Sequence, residues 1–383
     1  MRRSGAIATI LTAALLLLPA AGTASDHADP LALTTLEAGI TGLFAFPKGD
    51  DLVVILTVRR GLTSPAPYPL DEYEYTIFMD LTSKVLFGNA EDVARYGGTV
   101  KEPAGIAHDV AIRFRLDNNA KLQEGFPDYA GKTTLAHYER FPVAVGVYDD
   151  PFIFPRFFEK NVIAMALSIP FSSFPGNQQD MLLWATTTKN GKLIDHVGRS
   201  NRTQLGRLDF LNTLHPSEHV AAIEKRHQRG NSVQEGLTHL MGHFLPVGGI
   251  SGLFTYVLQV RDYDNHPDVM IFTTRRPAGF PNGRRLEDDV AGLTCAQGDC
   301  VLQEVAFIEG EWPRATENDR DFSDEFPYLG APWPERPEER HVDRCALIFW
   351  LIVLALVVIW IWIMRRRARA DLVPYVRPYR GRD

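Results

Sequence analysis

Cysteine is scarce in this chain, with three among 383 residues, so no disulfide scaffold replaces a hydrophobic core. Several marks of chemistry are missing too. There is no nucleophile elbow, no Walker loop and no dinucleotide fingerprint. Gly248-Gly249-Ile250-Ser251-Gly252 has the glycines of a phosphate loop but follows no convincing strand. Internal repeats and helices of crossover length are absent, which argues against parallel βαβ units. An excess of positive charge is also lacking. Leaving aside Arg2, Arg3, the seven tail arginines, Asp371 and Asp383, 31 basic residues face 45 acidic ones, a balance of −14. Such a surface repels nucleic acid and anionic lipid headgroups, so neither is an expected partner.

Long hydrophobic runs are rare, and the two that stand out lie near the ends. Ala346 to Met364 holds nineteen residues without a charge, proline or glycine, enough for a helix to cross a hydrocarbon core of about 30 Å. Arg365, Arg366, Arg367 and Arg369 follow it, a flank that stays cytoplasmic, and Trp350, Trp360 and Trp362 lie towards its two ends. Near the start, Arg2 and Arg3 precede the apolar run Ala13 to Leu18, then Pro19 and small residues, the three-part pattern of a secretory signal with its best cut after Ala24. A retained signal anchor is the alternative. The expected order is therefore a signal over 1–24, an exported domain over 25–333, a Pro/acid-rich stalk over 334–345, a transmembrane helix over 346–364 and a cytoplasmic tail over 365–383. The bilayer is thus an expected partner, through one helix.

Between these ends the periodicity is mostly that of strands. Thr41 to Phe46 and Leu52 to Val58 read as a hairpin around Pro47 to Asp51. Glu72 to Asp80 and Ile106 to Leu116 alternate with period two. Phe141 to Tyr148, Asn161 to Ile169, Met181 to Thr188 and Lys192 to Val197 are further strands. A helical rhythm then enters. His215 to Arg229 has Pro216 suited to a first turn, and Ser232-Val233-Gln234-Glu235 is a capping box for a second helix ending before Pro246. The fold class read from this is α+β and β-rich, an antiparallel β-sandwich-like core with a helical insertion or cap over about 203–262, plus the C-terminal transmembrane helix.

Candidate sites are few. Cleavage after Ala24 would expose Ser25-Asp26-His27, whose amine, two amides and imidazole suit square-planar Cu(II) or Ni(II); a plain polar N-terminus is the alternative. His215/His219 and His239/His243 are each four apart, as metal ligands on one helix face would be, or as ordinary surface histidines are. Leu240 stands where an HExxH zinc protease needs glutamate, so that reaction is not supported. Asp149-Asp150 offers paired carboxylates to a hard cation such as Ca²⁺, or is turn chemistry before Pro151. Neither it nor Glu287-Asp288-Asp289 has EF-hand spacing. Asn282, Arg284 and Arg285 next to Asp288 and Asp289 read as an internal salt-bridge cluster or as a site for an acidic ligand. Cys295 and Cys300 bracket a short loop outside the membrane, where a local disulfide is expected. Cys345 sits at the membrane boundary.

Several segments recur in an order that resembles an exported bacterial family, domain of unknown function 4331. They are Ser25-Asp26-His27-Ala28-Asp29-Pro30, Thr41 to Phe46, Asp149 to Phe154, Leu183 to Thr187, Phe280 to Val290 and Phe326 to Gly330. The resemblance implies one continuous domain from about Asp26 to Trp333 and no particular activity. Gly42 stands where members usually carry an aspartate, and Leu81-Thr82-Ser83-Lys84 replaces an Asn/Asp/Gly-rich loop. The C-terminal span is not general in that family, so the chain looks like a tethered variant of it. The leading expectation is a membrane-tethered, exported binding or interaction module. The competing one is a metal-dependent enzyme, or a Cu- or Ni-binding protein, using His27 and the Asp149/Asp150 pair.

Overall fold

The structure is a computed structural model that describes residues 27, 35–176, 178–203, 208–229, 265–300, 302–303, 306, 311–336, 354–355 and 357–362. The chain divides into two compact units, Met1–Glu339 and Arg340–Asp383.

Among its described residues the first unit has twelve strands and three α-helices. They run β1 (Ile40–Lys48), β2 (Asp51–Leu62), β3 (Glu74–Asp80), β4 (Val85–Leu86), α1 (Ala90–Tyr96), β5 (Thr99–Val100), β6 (Val110–Arg115), β7 (Asp128–Ala130), β8 (Val143–Asp149), β9 (Asn161–Pro170), β10 (Asp180–Lys189), β11 (Lys192–Val197), α2 (Pro216–Arg229), β12 (Met270–Thr273) and α3 (Val290–Ala296). One sheet has the order β1-β2-β9-β8. The other has the order β11-β10-β3-β6-β7, with β12 beside β11 on the same flank of β10. All pairings between named strands are antiparallel. The expected antiparallel, β-rich class is therefore what the chain adopts.

Alternation explains how the two sheets meet. Leu52, Val54, Leu56 and Val58 of β2 share one buried cluster with Ile163, Met165 and Leu167 of β9, Ile77 and Met79 of β3, Ile112 and Phe114 of β6, and Met181 and Leu183 of β10. This is the core between the sheets. The opposite face of the four-stranded sheet is also covered. Phe44, Phe46, Val53 and Ile55 pack with Leu286, Phe322, Phe326 and Leu329. Ala164 and Ala166 of β9 lie in that outer layer, where a small side chain lets the covering chain come close. Burial on both faces is why β2 reads Leu-Val-Val-Ile-Leu without a polar alternate. Each such fully buried aliphatic side chain contributes about 1.5–3 kcal/mol.

The turn after β12 joins the sheets at their edges. Asn282 forms a bridge with Ile271 of β12 and Arg284 one with Ala45 of β1. Between them Gly283 has φ of 70°, and a Cβ there would lie 2.3 Å from the Ala45 oxygen. Only glycine fits.

Helix α1 begins at Asn89, whose side chain accepts from the Glu91 and Asp92 amides, and ends at Gly97 in the left-handed region. α2 spans the segment expected to be helical from His215. With Leu208 and Leu211, its Ile223 forms a small separate apolar cluster. The signal segment, the expected second helix after Ser232, most of the stalk and most of Ala346 to Met364 lie outside the described residues. In the second unit, 354–355 and 357–362 are helical. Among the described residues no helix is long and apolar enough to cross a membrane.

Candidate functional site

His27 lies buried against β11. Its Nε2 donates to the Asp195 carboxylate, 2.9 and 3.0 Å from the two oxygens. Asp195 also accepts from the Ile40 and His196 amides, each at 2.9 Å. Ser25 and Asp26 lie outside the described residues.

Arg60 of β2 connects this pair to Asp150. It is 4% exposed, and burial brings it down to about 10 against the charges of Asp195 and Asp150, which hold it up. Asp150 Oδ1 accepts from the Phe152 amide at 3.0 Å, while Oδ2 has no hydrogen-bond partner among the described residues. Burial pushes Asp150 up to about 7; Asp149 adds to the rise, and Phe152 N–H, Arg284 and Arg60 oppose it.

Asp149 is held by a different set of groups. Its oxygens accept from Trp333 Nε1 at 2.8 Å and Asn318 Nδ2 at 2.6 Å. Burial again dominates, raising it to about 7 with help from Asp319. The two carboxyls thus face separate partners. Among the described residues no group of three or more His, Cys, Asp or Glu is arranged to hold a metal ion.

Two histidines of the helical section, His215 and His219, have internal hydrogen-bond partners. His219 Nδ1 accepts from the Asp268 amide at 3.0 Å, and Nε2 lies 3.1 Å from the Leu214 carbonyl. Those partners leave one tautomer, with the proton on Nε2. Burial accordingly drops His219 to about 3, with His196 adding to the fall. Burial alone would raise Asp268, but the bond and charge of His196, the charge of His219 and the Arg199 N–H outweigh it and hold it at about 2. His215 Nδ1 bonds the Ser217 hydroxyl at 2.8 Å. His239 and His243 lie outside the described residues.

The Asn282 to Asp289 cluster is turned inwards. Asn282 Oδ1 accepts from Thr273 N at 2.8 Å, and Nδ2 donates to the Thr273, Arg276 and Pro277 carbonyls. Arg285 pairs with Asp288 through Nε and Nη2 at 3.2 and 3.1 Å. Asp288 also accepts from the Phe280 and Arg285 amides. Asp289 caps α3 through Gly292 N and takes a charged bond from Arg314 at 2.6 Å. Arg284 is 1% exposed, against Phe44 and Phe152. Cys295 and Cys300 are disulfide-bonded at the end of α3.

Arg60 and Asp195 are not among the site residues expected from the sequence. Asp195 carries a signal, a charge following Leu193 and Ile194 inside an expected strand, and burial of such a charge demands a partner. Arg60 stands between Arg59 and Gly61, just beyond the expected strand Leu52 to Val58, where nothing local marks it.

A cleft of about 530 Å³ lies between α1 and the segment 276–282. Phe87, Val93 and Ala94 form one side, and Pro277, Phe280 and Pro281 the other, with Arg276 among the lining residues. None of the residues lining it is a carboxylate, histidine, cysteine or hydroxyl.

The chain matches no known family model and no curated protein. The resemblance to domain of unknown function 4331 therefore rests on the quoted segments, and the most specific of them, Phe280 to Val290, is the one that ties the two sheets together.

Proposed function

We propose that the chain is an exported binding module, held at the membrane by its apolar C-terminal segment, which captures a ligand and does not transform it. The observation that carries this reading is the contrast between its polar groups and its cleft. Among the described residues, His27, His219, Asp149, Asp288 and Asp289 are bonded to internal partners, and Asp150 is buried beside arginines. The open cleft has aromatic and aliphatic walls and no group able to act as nucleophile or general base. Its volume of about 530 Å³ suits a small molecule.

The tether is supported by composition and by exposure. Leu354, Val358, Ile359, Trp360 and Trp362 are all exposed in the helical residues of the second unit, which favours a lipid-facing role. The basic flank after Met364 supports placing the first unit on the periplasmic or extracellular side. The shared order of segments supports a single exported domain similar to domain of unknown function 4331.

The test fills the cleft. Ala94 is exposed on α1, so Ala94→Trp blocks the space at little structural cost. Thermal unfolding of the full chain against a small-molecule panel should find a ligand that stabilises the native protein and not Ala94→Trp. That ligand should be recovered intact after prolonged incubation. Its steady conversion to a product would sink the binding reading in favour of an enzyme. For the tether, protease added to intact cells or spheroplasts should digest the first unit from outside.

A further inference from the structure

We infer that the cleft takes a small organic acid: a carboxylate joined to an aromatic or similarly flat apolar group, with the carboxylate paired to Arg276. This deepens the binding reading above and rests on it.

Arg275 pairs with Asp180, Arg285 with Asp288 and Arg95 with Glu91. Arg276 is exposed and has no carboxylate within ion-pair distance among the described residues. Its base is held in place, because the Arg276 and Pro277 carbonyls both accept from the Asn282 side chain, at 3.2 and 3.0 Å. The guanidinium lies 5.9 Å from the centre of the Phe87 ring, and that of Arg275 lies 4.8 Å from it. A guanidinium carried on a fixed turn is a fork that matches a carboxylate with two parallel bonds.

The walls decide the rest of the ligand. Phe87, Phe280, Pro277 and Val93 offer flat or aliphatic surfaces, on which a ring can stack or rest edge-on. A single unpaired arginine suits a monoanion better than a phosphate, which calls for several donors. In an exported part with a balance of −14, this local cation also gives the ligand a direction of approach.

The experiment uses the full chain in detergent micelles, with phenylacetate and its neutral analogue phenylacetamide as probes in saturation-transfer NMR. Phenylacetate should bind saturably, and Arg276→Gln should weaken it about tenfold, equal to about 1.4 kcal/mol. Arg276→Lys should restore part of the affinity, and phenylacetamide should bind several-fold more weakly than phenylacetate. Equal binding of acid and amide, or no change in Arg276→Gln, overturns the carboxylate assignment. If binding persists in that case and Ala94→Trp abolishes it, the module reading survives. If neither probe binds, the assignment falls. A wider panel that also finds no ligand lost in Ala94→Trp removes the binding reading with it.

Discussion

The guanidinium carbon of Arg284 lies 4.1 Å from the centre of the Phe44 ring, on the outer face of the four-stranded sheet. The same residue exchanges two main-chain hydrogen bonds with Ala45, at 2.9 and 3.1 Å. The clasp thus sets an arginine in a place without water, where a planar cation over an aromatic face contributes about 2 kcal/mol. Lysine has a compact, strongly hydrated head and no plane to lay on the ring. Arg284→Lys should therefore lower unfolding stability by about 2 kcal/mol, read from the urea midpoint at unchanged slope. An unchanged midpoint would show that the stacking contributes nothing.

Asn282 gives a sharper test, because its amide faces one donor and three carbonyls. Asn282→Asp keeps the shape and places a carboxylate oxygen against the Thr273, Arg276 and Pro277 oxygens. The loss should be about 2–3 kcal/mol. Because this turn also fixes one wall of the cleft, the binding of phenylacetate should weaken in the same variant.

Removing the imidazole of His27 leaves Asp195 buried with one partner fewer. His27→Ala should cost about 3–5 kcal/mol, measured by chemical unfolding. In a Cu(II) titration of the native protein, the expected result is no tight site that disappears in His27→Ala. A stoichiometric site lost in that variant would restore the metal reading.

Stability should also depend on pH through Asp150. Its folded pKa of about 7 lies above the ordinary carboxylate value of 3.8, so the folded state holds a proton that the unfolded state has released. Its favourable contribution is complete below the unfolded value and is lost as pH rises through about 7. Between pH 5 and 7 the slope from this carboxyl is at most about 1.4 kcal/mol per pH unit, falling with rising pH. Asp150→Asn imitates the protonated form and should flatten that part of the profile. His219 works the other way. Its folded pKa of about 3 lies below the ordinary imidazole value of 6.5, so its contribution is present above 6.5 and fades as pH falls. The difference between native protein and Asp150→Asn isolates the first effect; a superimposable pair of profiles would remove it.

Much of the fold was legible because strand alternation is written in the residues themselves. β11 was expected over its exact span, and β1, β2, β9 and β10 to within a few residues at each end. The short pieces β4, β5, β7 and β12 were not, since two to four residues carry no period. Helices α1 and α3 were also missed. Each has seven residues, and caps such as Asn89 and Asp289 read equally well as turn residues. The site was less legible than the fold. Asp149 and Asp150, adjacent in sequence, suggested one ligand pair, yet their carboxyls are held by different partners, Asn318 and Trp333 for one and Phe152 with the nearby arginines for the other.

By itself the sequence determined the class, an antiparallel β-rich domain, together with the disulfide partners and the acidic balance, because periodicity, spacing and composition are local or additive quantities. Tertiary structure alone decided which polar groups are spent and which are open. His27 meets Asp195 across 168 residues, and Phe87 comes to face Arg276 only because α1 and the turn after β12 border the same cleft. Such pairings depend on how the sheets close, and no local pattern encodes that.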